Sequence, residues 1–408
     1  MDEIERFVLL LVAASITLVF AEWIRLSYTL ALLLLGLIIG GSSIAPDAKL
    51  NADVILLIFL PPLLFEAAFI LDLRSLWSVR VGVTALALPG VLLAMVVGGA
   101  IVHWALGLEW TFALLFGAIV AATDPVAVLA TFRQLNAEKR LTVLLEGESL
   151  FNDGMALGLL AALVHSVDHG FSFGSAVGLF VLSVGAGALI GIALGWLGHL
   201  LIATVDQHLV EMSVSVAVAY GAFLAAELLH LSGVLATITA AMTLGHLGRS
   251  RGWVYSDASE ALLTDLWEFL AFIANAALFL MIGIAVHASG LLNHPGEVVI
   301  GIVAALAGRA AVAYGMPLLL NFARFPLSWG ERHMLFWGGL RGAVAVAAAL
   351  SLPADFPHRV QLLAMTYGAV LFTLLAQGLT IAQLGRRLGL LGEPVAERVQ
   401  PDVKPETV

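Results

Sequence analysis

The stretch Ala122-Thr123-Asp124-Pro125-Val126 interrupts an apolar segment that runs from about residue 110 to residue 131. Proline lacks a backbone N–H and clashes with the carbonyl group four residues earlier, so a helix through this segment should break near Thr123. At membrane depth a broken helix is tolerated where it lines a cavity, because its freed backbone groups need polar partners. If the segment lies in a membrane, the stretch therefore predicts an unwound helix beside a polar cavity.

The composition indicates that most of the surface faces lipid. The chain has 408 residues, of which 12% are charged and 61% are apolar, and its mean hydropathy is +1.02. Soluble domains carry roughly 25% charged residues, so a water-exposed surface cannot be built from this sequence. The net charge of −10 and the scattered cations exclude a nucleic-acid surface, and the absence of cysteine excludes disulfides. We predict an all-α polytopic membrane protein.

Hydropathy, read together with glycine, proline and polar residues, predicts thirteen transmembrane helices. They lie near residues 5–21, 26–43, 52–71, 80–104, 110–131, 140–165, 173–202, 207–230, 232–248, 260–288, 296–321, 331–352 and 360–385. Most lysines and arginines then fall in loops on one side, which places the N-terminus outside and the C-terminus in the cytoplasm. Residues 1–385 form the membrane unit, and residues 386–408 form a short cytoplasmic tail.

The sixth span carries the densest cluster of polar residues, Glu148-Ser149-Leu-Phe-Asn152-Asp153. Ser149, Asn152 and Asp153 share one helix face, and Glu148 lies one residue to the side. Burying each ionisable group costs on the order of 3 kcal/mol, so two carboxylates in one span mark a candidate functional site.

A second predicted break lies in the twelfth span, at Gly338-Gly339-Leu340-Arg341-Gly342. The fifth and twelfth spans are seven apart. If spans 1–6 and 8–13 are two repeats of the same fold, the two breaks occupy corresponding positions in the repeats, and the two spans cross the membrane in opposite directions. Two interrupted helices so placed indicate the binding site of a secondary transporter. Asp124 in the first break either binds a cation or caps the half-helix that begins at Pro125, and both roles stay open.

Other ionisable residues in the spans support this site or have structural roles. Arg309 needs a carboxylate partner, for which Glu148 is the first candidate. Glu66 follows Pro61-Pro62 and either lies at the mouth of a funnel or makes a hydrogen bond within the bundle.

Glu268 and Asn275 are seven residues apart on one face of the tenth span, where structural bonding and gating both stay open. Glu146 and Glu211 lie near span ends and are expected to reach water.

Two carboxylates, hydroxyl groups and freed carbonyls form a site suited to a bare monovalent cation. A carboxylate removed from water must be neutralised by a proton or a cation, and competition between the two at one group produces antiport. Five motifs, in order, resemble the cation–proton antiporter family in its sodium/proton exchanger branch: residues 59–66, Thr123-Asp124-Pro125, residues 148–153, residues 267–275 and residues 338–342.

The resemblance implies two crossed, unwound helices in a core domain that moves like an elevator, together with a separate dimerisation domain. The core would include the spans near 80–165 and 260–352, and the remaining spans would form the scaffold of a homodimer. Asp153 would carry the ion and the proton. Asp124, Thr123, Ser149 and Glu148 would line or support the site, with Asp153, Thr123 and Ser149 as cation ligands. The supporting residues would be Asn152, Arg309, Arg341, Glu66, Glu268 and Asn275, with both arginines as counter-charges to buried acids.

The resemblance also predicts the exchanged ions. Asn152 and Arg309 stand where electrogenic branches carry aspartate and lysine, and arginine stays protonated, so one Na⁺ or Li⁺ is expected to exchange for one proton. The alternatives are K⁺/H⁺ antiport, an ion-coupled symporter of organic solutes and a membrane sensor. We expect a protein of the cell membrane that is not an enzyme, needs no cofactor, binds no nucleic acid and has the lipid bilayer and a second copy as partners.

Overall fold

The computed structural model describes residues 3–23, 27–41, 55–124, 126–169, 173–205, 207–251, 257–288 and 291–391. Within these ranges the chain is helical and contains no β-strand. Pro125 and most of the predicted tail lie outside the described residues, so the first break is defined by the neighbours of Pro125.

The helical segments are numbered in chain order. They are α1 (Glu3–Trp23), α2 (Tyr28–Gly40), α3 (Leu60–Ile70), α4 (Leu73–Leu106), α5 (Trp110–Ile119), α6 (Val126–Gln134), α7 (Lys139–His169), α8 (Phe173–Ile202), α9 (His208–Leu228), α10 (Gly233–Arg251), α11 (Asp257–Ala288), α12 (Pro295–Phe322), α13 (Trp329–Trp337), α14 (Ala343–Leu350) and α15 (Arg359–Arg387). Short π-helical turns precede α3 at Ile55–Phe59 and occur within α4 (Leu86–Gly90), α12 (Ala311–Gly315) and α15 (Thr373–Gln377).

Each predicted span coincides with one helix or with two short helices. The fifth span consists of α5 and α6, and the twelfth of α13 and α14, with unwound chain between the members of each pair. The all-helical fold with two unwound helices is therefore confirmed. Seven helices in the described ranges are long and apolar enough to cross a bilayer, and the count of thirteen crossings stays a prediction.

The fourth helix begins earlier than the sequence predicts. It starts at Leu73 rather than near residue 80, because the Asp72 carboxylate caps it by accepting from the backbone N–H groups of Arg74 at 3.0 Å and Ser75 at 3.3 Å. A capped N-terminus tolerates the polar first turns that hydropathy alone assigns to a loop.

The helices pack in two groups. One comprises α4 to α7 and α12 to α15, which surround the two breaks. In the other, α2 packs along α11, α8 along α10, and α3 against α10. In this second group α11 packs chiefly on α2, where Gly36 and Gly283 let the two backbones touch. The sequence places α11 in the core domain, and the division into core and scaffold stays a prediction.

Candidate functional site

The unwound chain of the first break is hydrogen-bonded to α7 through Thr123. The Asn152 side chain donates from Nδ2 to the Thr123 hydroxyl oxygen at 2.7 Å and accepts from the Thr123 backbone N–H at 3.3 Å. The Ser149 hydroxyl donates to the Thr123 carbonyl oxygen, and the two hydroxyl oxygens are 3.3 Å apart. Side chains of a continuous helix thus replace the hydrogen bonds that the unwound chain has lost.

Asp124 joins the two breaks. Its backbone N–H donates to the Leu340 carbonyl oxygen at 2.8 Å. Its carboxylate accepts from the Val126 N–H at 3.0 Å and interacts with the N–H of Ala343, so it lies at the N-termini of α6 and α14. Negative charge stabilises helix N-termini, so this position favours the predicted capping role of Asp124 at α6 and gives it a second helix end at α14. Gly342 is required here because an added Cβ atom would overlap the Asp124 carboxylate.

Two buried arginines lie at the C-terminal ends of the other half-helices. Arg341 donates from Nη1 to the carbonyl oxygens of Ala121 and Ala122, both at 3.1 Å, just beyond α5. Arg309 donates from Nε to the Leu335 carbonyl oxygen in the last turn of α13, at 2.8 Å. Positive charge stabilises helix C-termini, so the four half-helix ends at the breaks are matched by charges of the favourable sign.

The role of Arg341 as a counter-charge to a buried acid stays a prediction, and it is favoured by the electrostatic interactions of its guanidinium with Glu148 and Asp153. The hydrogen bonds of its side chain go to backbone carbonyls, the third being Ala305 O at 3.4 Å. The physical reason is the first break itself, which leaves the carbonyl groups at the end of α5 without intrahelical partners.

Glu148 and Arg309 form the predicted ion pair. Arg309 donates from both terminal nitrogens to the two carboxylate oxygens, one of these bonds measuring 2.9 Å. Glu148 is 2% exposed and does not line the cavity described next, which favours a supporting role over direct contact with the ion. Its position one residue beside the Ser149–Asp153 face turns it toward α12 instead.

A cavity of about 350 Å³ lies beside the crossing of the two breaks. Asp124, Ser149 and Asp153 line it. Asp153 is only 7% exposed, and its Oδ1 atom has no hydrogen-bond partner among the described residues. A buried carboxylate oxygen without a donor carries a large electrostatic cost unless a proton or a cation neutralises it.

Further polar side chains extend this cavity. Glu66, Glu268 and Asn275, all predicted as supporting residues, lie in its wall. Thr123 does not line it, because its polar atoms contact Ser149 and Asn152. No group of three or more His, Cys, Asp or Glu residues in the described ranges could hold a metal ion, and the cation ligands stay a prediction.

Three cavity residues escaped the sequence interpretation: Tyr28, Arg133 and Glu146. Glu146, which was expected to reach water near a span end, is partly exposed and lies in the cavity wall. Its spacing of seven residues from Asp153 puts both on one face of α7, and that signal would have found it. No sequence pattern indicates that Tyr28, the first residue of α2, contributes to the cavity wall.

Glu211, near the start of α9, was also expected to reach water. It is buried instead, with 2% of the residue exposed. It lies outside the cavity wall.

Comparison with known proteins agrees with this architecture. Residues 8–387 match the family described as "Sodium/hydrogen exchanger, transmembrane". The chain is 37% identical to the Na(+)/H(+) antiporter ApNhaP of Aphanothece halophytica, over 98% of this chain and 78% of that protein. It is 33% identical to the Na(+)/H(+) antiporter NhaH of Halobacillus aidingensis, over 94% of this chain and 97% of that protein.

The fold has a solved counterpart. The sodium proton antiporter MjNhaP1 from Methanocaldococcus jannaschii superimposes with a TM-score of 0.78 at 22% identity, over 96% of this chain and the whole of that chain. Together with the family match over residues 8–387, this places the chain among multi-pass membrane transporters. The chain belongs to the sodium/hydrogen exchanger family.

Proposed function

We propose that this protein exchanges Na⁺ for H⁺ across a membrane, with Asp153 as the group that carries each ion in turn. The observation that carries the proposal is the unpaired Oδ1 of Asp153 in a cavity beside two unwound helices. The antiporter names of the similar proteins support it.

Competition at one carboxylate explains the coupling. Asp153 is buried, so its charged form needs a partner, and either a proton or Na⁺ supplies the positive charge. The Ser149 hydroxyl and the Asp124 carboxylate lie in the same cavity wall and would offer further oxygen ligands. Thr123 would join them only if its oxygens turned from their bonds to Ser149 and Asn152.

We expect the exchange to be electroneutral, with one cation for each proton. The other charged groups beside Asp153 are engaged: Asp124 lies at two helix N-termini, Glu148 is held by Arg309, and Arg341 donates to backbone carbonyls. Arginine does not release its proton in proteins, so neither cation can carry a second proton.

The two helix groups suit an elevator-like movement. The group formed by α4 to α7 and α12 to α15 would carry the site past a scaffold of α1 to α3 and α8 to α11, and the scaffolds of two copies would form a homodimer. We expect the plasma membrane as the location, with the N-terminus outside. In that orientation the Arg133 end of α6 faces the cytoplasm, and the cavity is accessible from that side.

Transport in proteoliposomes tests the function. An imposed proton gradient should drive Na⁺ and Li⁺ flux in the wild-type protein, and Asp153→Asn should abolish it while thermal unfolding stays normal. Retained flux in a folded Asp153→Asn protein would exclude Asp153 as the carrier.

Potassium salts in the same assay address the K⁺/H⁺ alternative. An organic-anion symporter is disfavoured because Glu66, Glu146 and Glu268 line the cavity and would repel its substrate.

A further inference from the structure

Gln377 buries a side-chain amide in α15, the helix that follows the half-helices α13 and α14 in the chain. It is the last residue of the π-helical turn in α15, is 0% exposed and does not line the ion cavity. Neither its Oε1 nor its Nε2 atom makes a hydrogen bond within the described part of the chain. An amide that is removed from water and left unpaired costs free energy, so an apolar side chain would be more stable here unless the amide is used.

Three polar side chains on one face of α15 are directed toward the second break. Thr373, Gln377 and Thr380 are four and three residues apart, so they share this face. The Thr373 hydroxyl oxygen accepts from the backbone N–H of Arg341 at 3.1 Å, and the Thr380 hydroxyl oxygen accepts from Nε1 of Trp337 at 2.7 Å. Gln377 lies between these two contacts and therefore faces the unwound chain that joins them.

The next residue of α15, Gly378, supports this orientation. An added Cβ atom on Gly378 would lie 3.8 Å from the side chain of Leu340, in the middle of the second break. A helix turns by about 100° per residue, so Gly378 lies on one side of Gln377 around the helix axis and Thr380 lies on the other. Because residues on both sides contact the second break or the side chain just before it, the amide between them points at the same segment.

The unwound chain offers the groups that such an amide binds. Among the described residues, no hydrogen bond uses the backbone N–H or C=O group of Gly339. A primary amide carries donors and an acceptor, as a backbone with a free N–H and a free C=O does, so the two are complementary. The unpaired groups of Gln377 and Gly339 therefore lie on facing segments of the same helix group.

The first break is held by the same kinds of side chain from α7, the helix that follows α5 and α6. The Asn152 amide binds the backbone N–H and the hydroxyl of Thr123. Ser149, three residues before Asn152, adds a hydroxyl that binds the same unwound chain. At the second break, Thr373 supplies the hydroxyl four residues before Gln377. Each break thus faces one hydroxyl and one amide, and in the described structure the second amide is the unpaired one.

The second break transmits its position to the ion site. The carbonyl oxygen of Leu340 accepts from the backbone N–H of Asp124 at 2.8 Å, and Asp124 lines the ion cavity. A movement of the unwound chain toward α15 would therefore also move Asp124.

We propose that Gln377 is a positioning residue for transport, whose amide pairs with the backbone of Gly339 in the conformation that opens the ion site to the opposite side of the membrane. The inference rests on the exchange proposed above, which requires such a second conformation. Pairing stabilises that conformation, while the unpaired amide destabilises the one described here, so both effects favour the movement. The π-helical turn that ends at Gln377 fits this role, because such turns frequently occur at functional sites.

The variant Gln377→Met, which is similar in length but has no amide, tests the proposal in proteoliposomes. The kcat of Na⁺ flux should fall roughly tenfold, because the hydrogen bonds of the second conformation are lost. The KM for Na⁺ should not rise, and the unfolding midpoint should stay unchanged or rise, because the conformation described here does not use the amide. The control Thr366→Val removes a buried hydroxyl of α15 that binds Leu362 O of its own helix at 2.8 Å, and flux should be unchanged.

Three results would overturn the proposal: an unchanged kcat in folded Gln377→Met, a raised KM at unchanged kcat, or a loss of flux that only follows a lowered unfolding midpoint. A control that loses as much flux as Gln377→Met would overturn it too. If Gln377→Met does not fold, Gln377→Asn, which keeps the amide but shortens its reach, must lower kcat instead. Absent flux in the wild type would overturn the proposed exchange itself, whereas wild-type flux with an unimpaired Gln377→Met overturns this inference alone.

Discussion

Glu148 and Arg309 depend on each other for their charge. Both are buried, and removing one partner of such a pair costs about 3–5 kcal/mol because the other charge is left uncompensated. We expect Glu148→Gln and Arg309→Gln each to lower the thermal unfolding midpoint strongly. The double variant should be more stable than the sum of the single effects predicts. Strictly additive losses would mean that the two charges do not stabilise each other.

Gly342 leaves room for the Asp124 carboxylate. An added methyl group would overlap that carboxylate and displace it from the N-terminus of α14, so Gly342→Ala should abolish proton-driven Na⁺ flux. The matched control is Gly221→Ala in α9, where nothing lies within 4 Å of an added Cβ atom. Equal flux in the two variants would show that the Asp124 position does not matter for transport.

Arg133 is the cation in the wall of an otherwise acidic cavity. Its exposed charge opposes Na⁺ entry, so Arg133→Gln should lower the KM for Na⁺ roughly two- to fivefold at low ionic strength and leave kcat unchanged. Added salt should shrink the effect by screening. Lys139→Gln, which removes a nearby charge outside the cavity wall, is the control. A kcat effect without a KM effect would contradict an electrostatic role at entry.

At the level of helices, the breaks could be predicted but their partners could not. Proline in the fifth span and three glycines in the twelfth disrupt helices locally, and the one-face spacing of Ser149 and Asp153 is a local pattern too. The partners of Arg341 depend on how two helices seven spans apart cross. No local sequence pattern encodes this tertiary geometry, so the partners could not be predicted. The same holds for Tyr28, which reaches the cavity only because α2 packs along α11.

The half-helices depend on caps because each has only eight to ten residues. Helices this short are marginal alone, so the groups at the breaks decide whether they form. Asparagine can also cap an N-terminus, whereas alanine cannot, and loss of a cap costs about 1–2 kcal/mol. Asp124→Ala should therefore lower the unfolding midpoint, and Asp124→Asn should preserve it.

Transport then separates the two roles of Asp124. If its charge also binds the cation, the stable Asp124→Asn protein should show a raised KM for Na⁺ in the flux assay. An unchanged KM together with normal stability would restrict Asp124 to capping and leave Ser149 and Asp153 as the ligands.

For the whole molecule, an elevator-like movement requires α7 to slide relative to α10. These helices meet where Leu235 packs onto Gly154, next to Asp153, so closely that an added Cβ atom on Gly154 would overlap the Leu235 side chain. The two residues are buried and belong to different helix groups. A covalent link at this contact should therefore hold the transport group in one position.

The chain contains no cysteine, so a designed pair can be cross-linked without background. Cross-linking Gly154→Cys/Leu235→Cys should stop proton-driven Na⁺ flux, and reduction should restore it. The control pair Gly198→Cys/Val218→Cys joins α8 to α9 within the scaffold group and should leave flux unchanged, because those helices need not move apart. Full flux in the cross-linked Gly154→Cys/Leu235→Cys protein would exclude sliding at this contact. Ion access would then have to alternate through rearrangement of the breaks alone, with the two helix groups fixed.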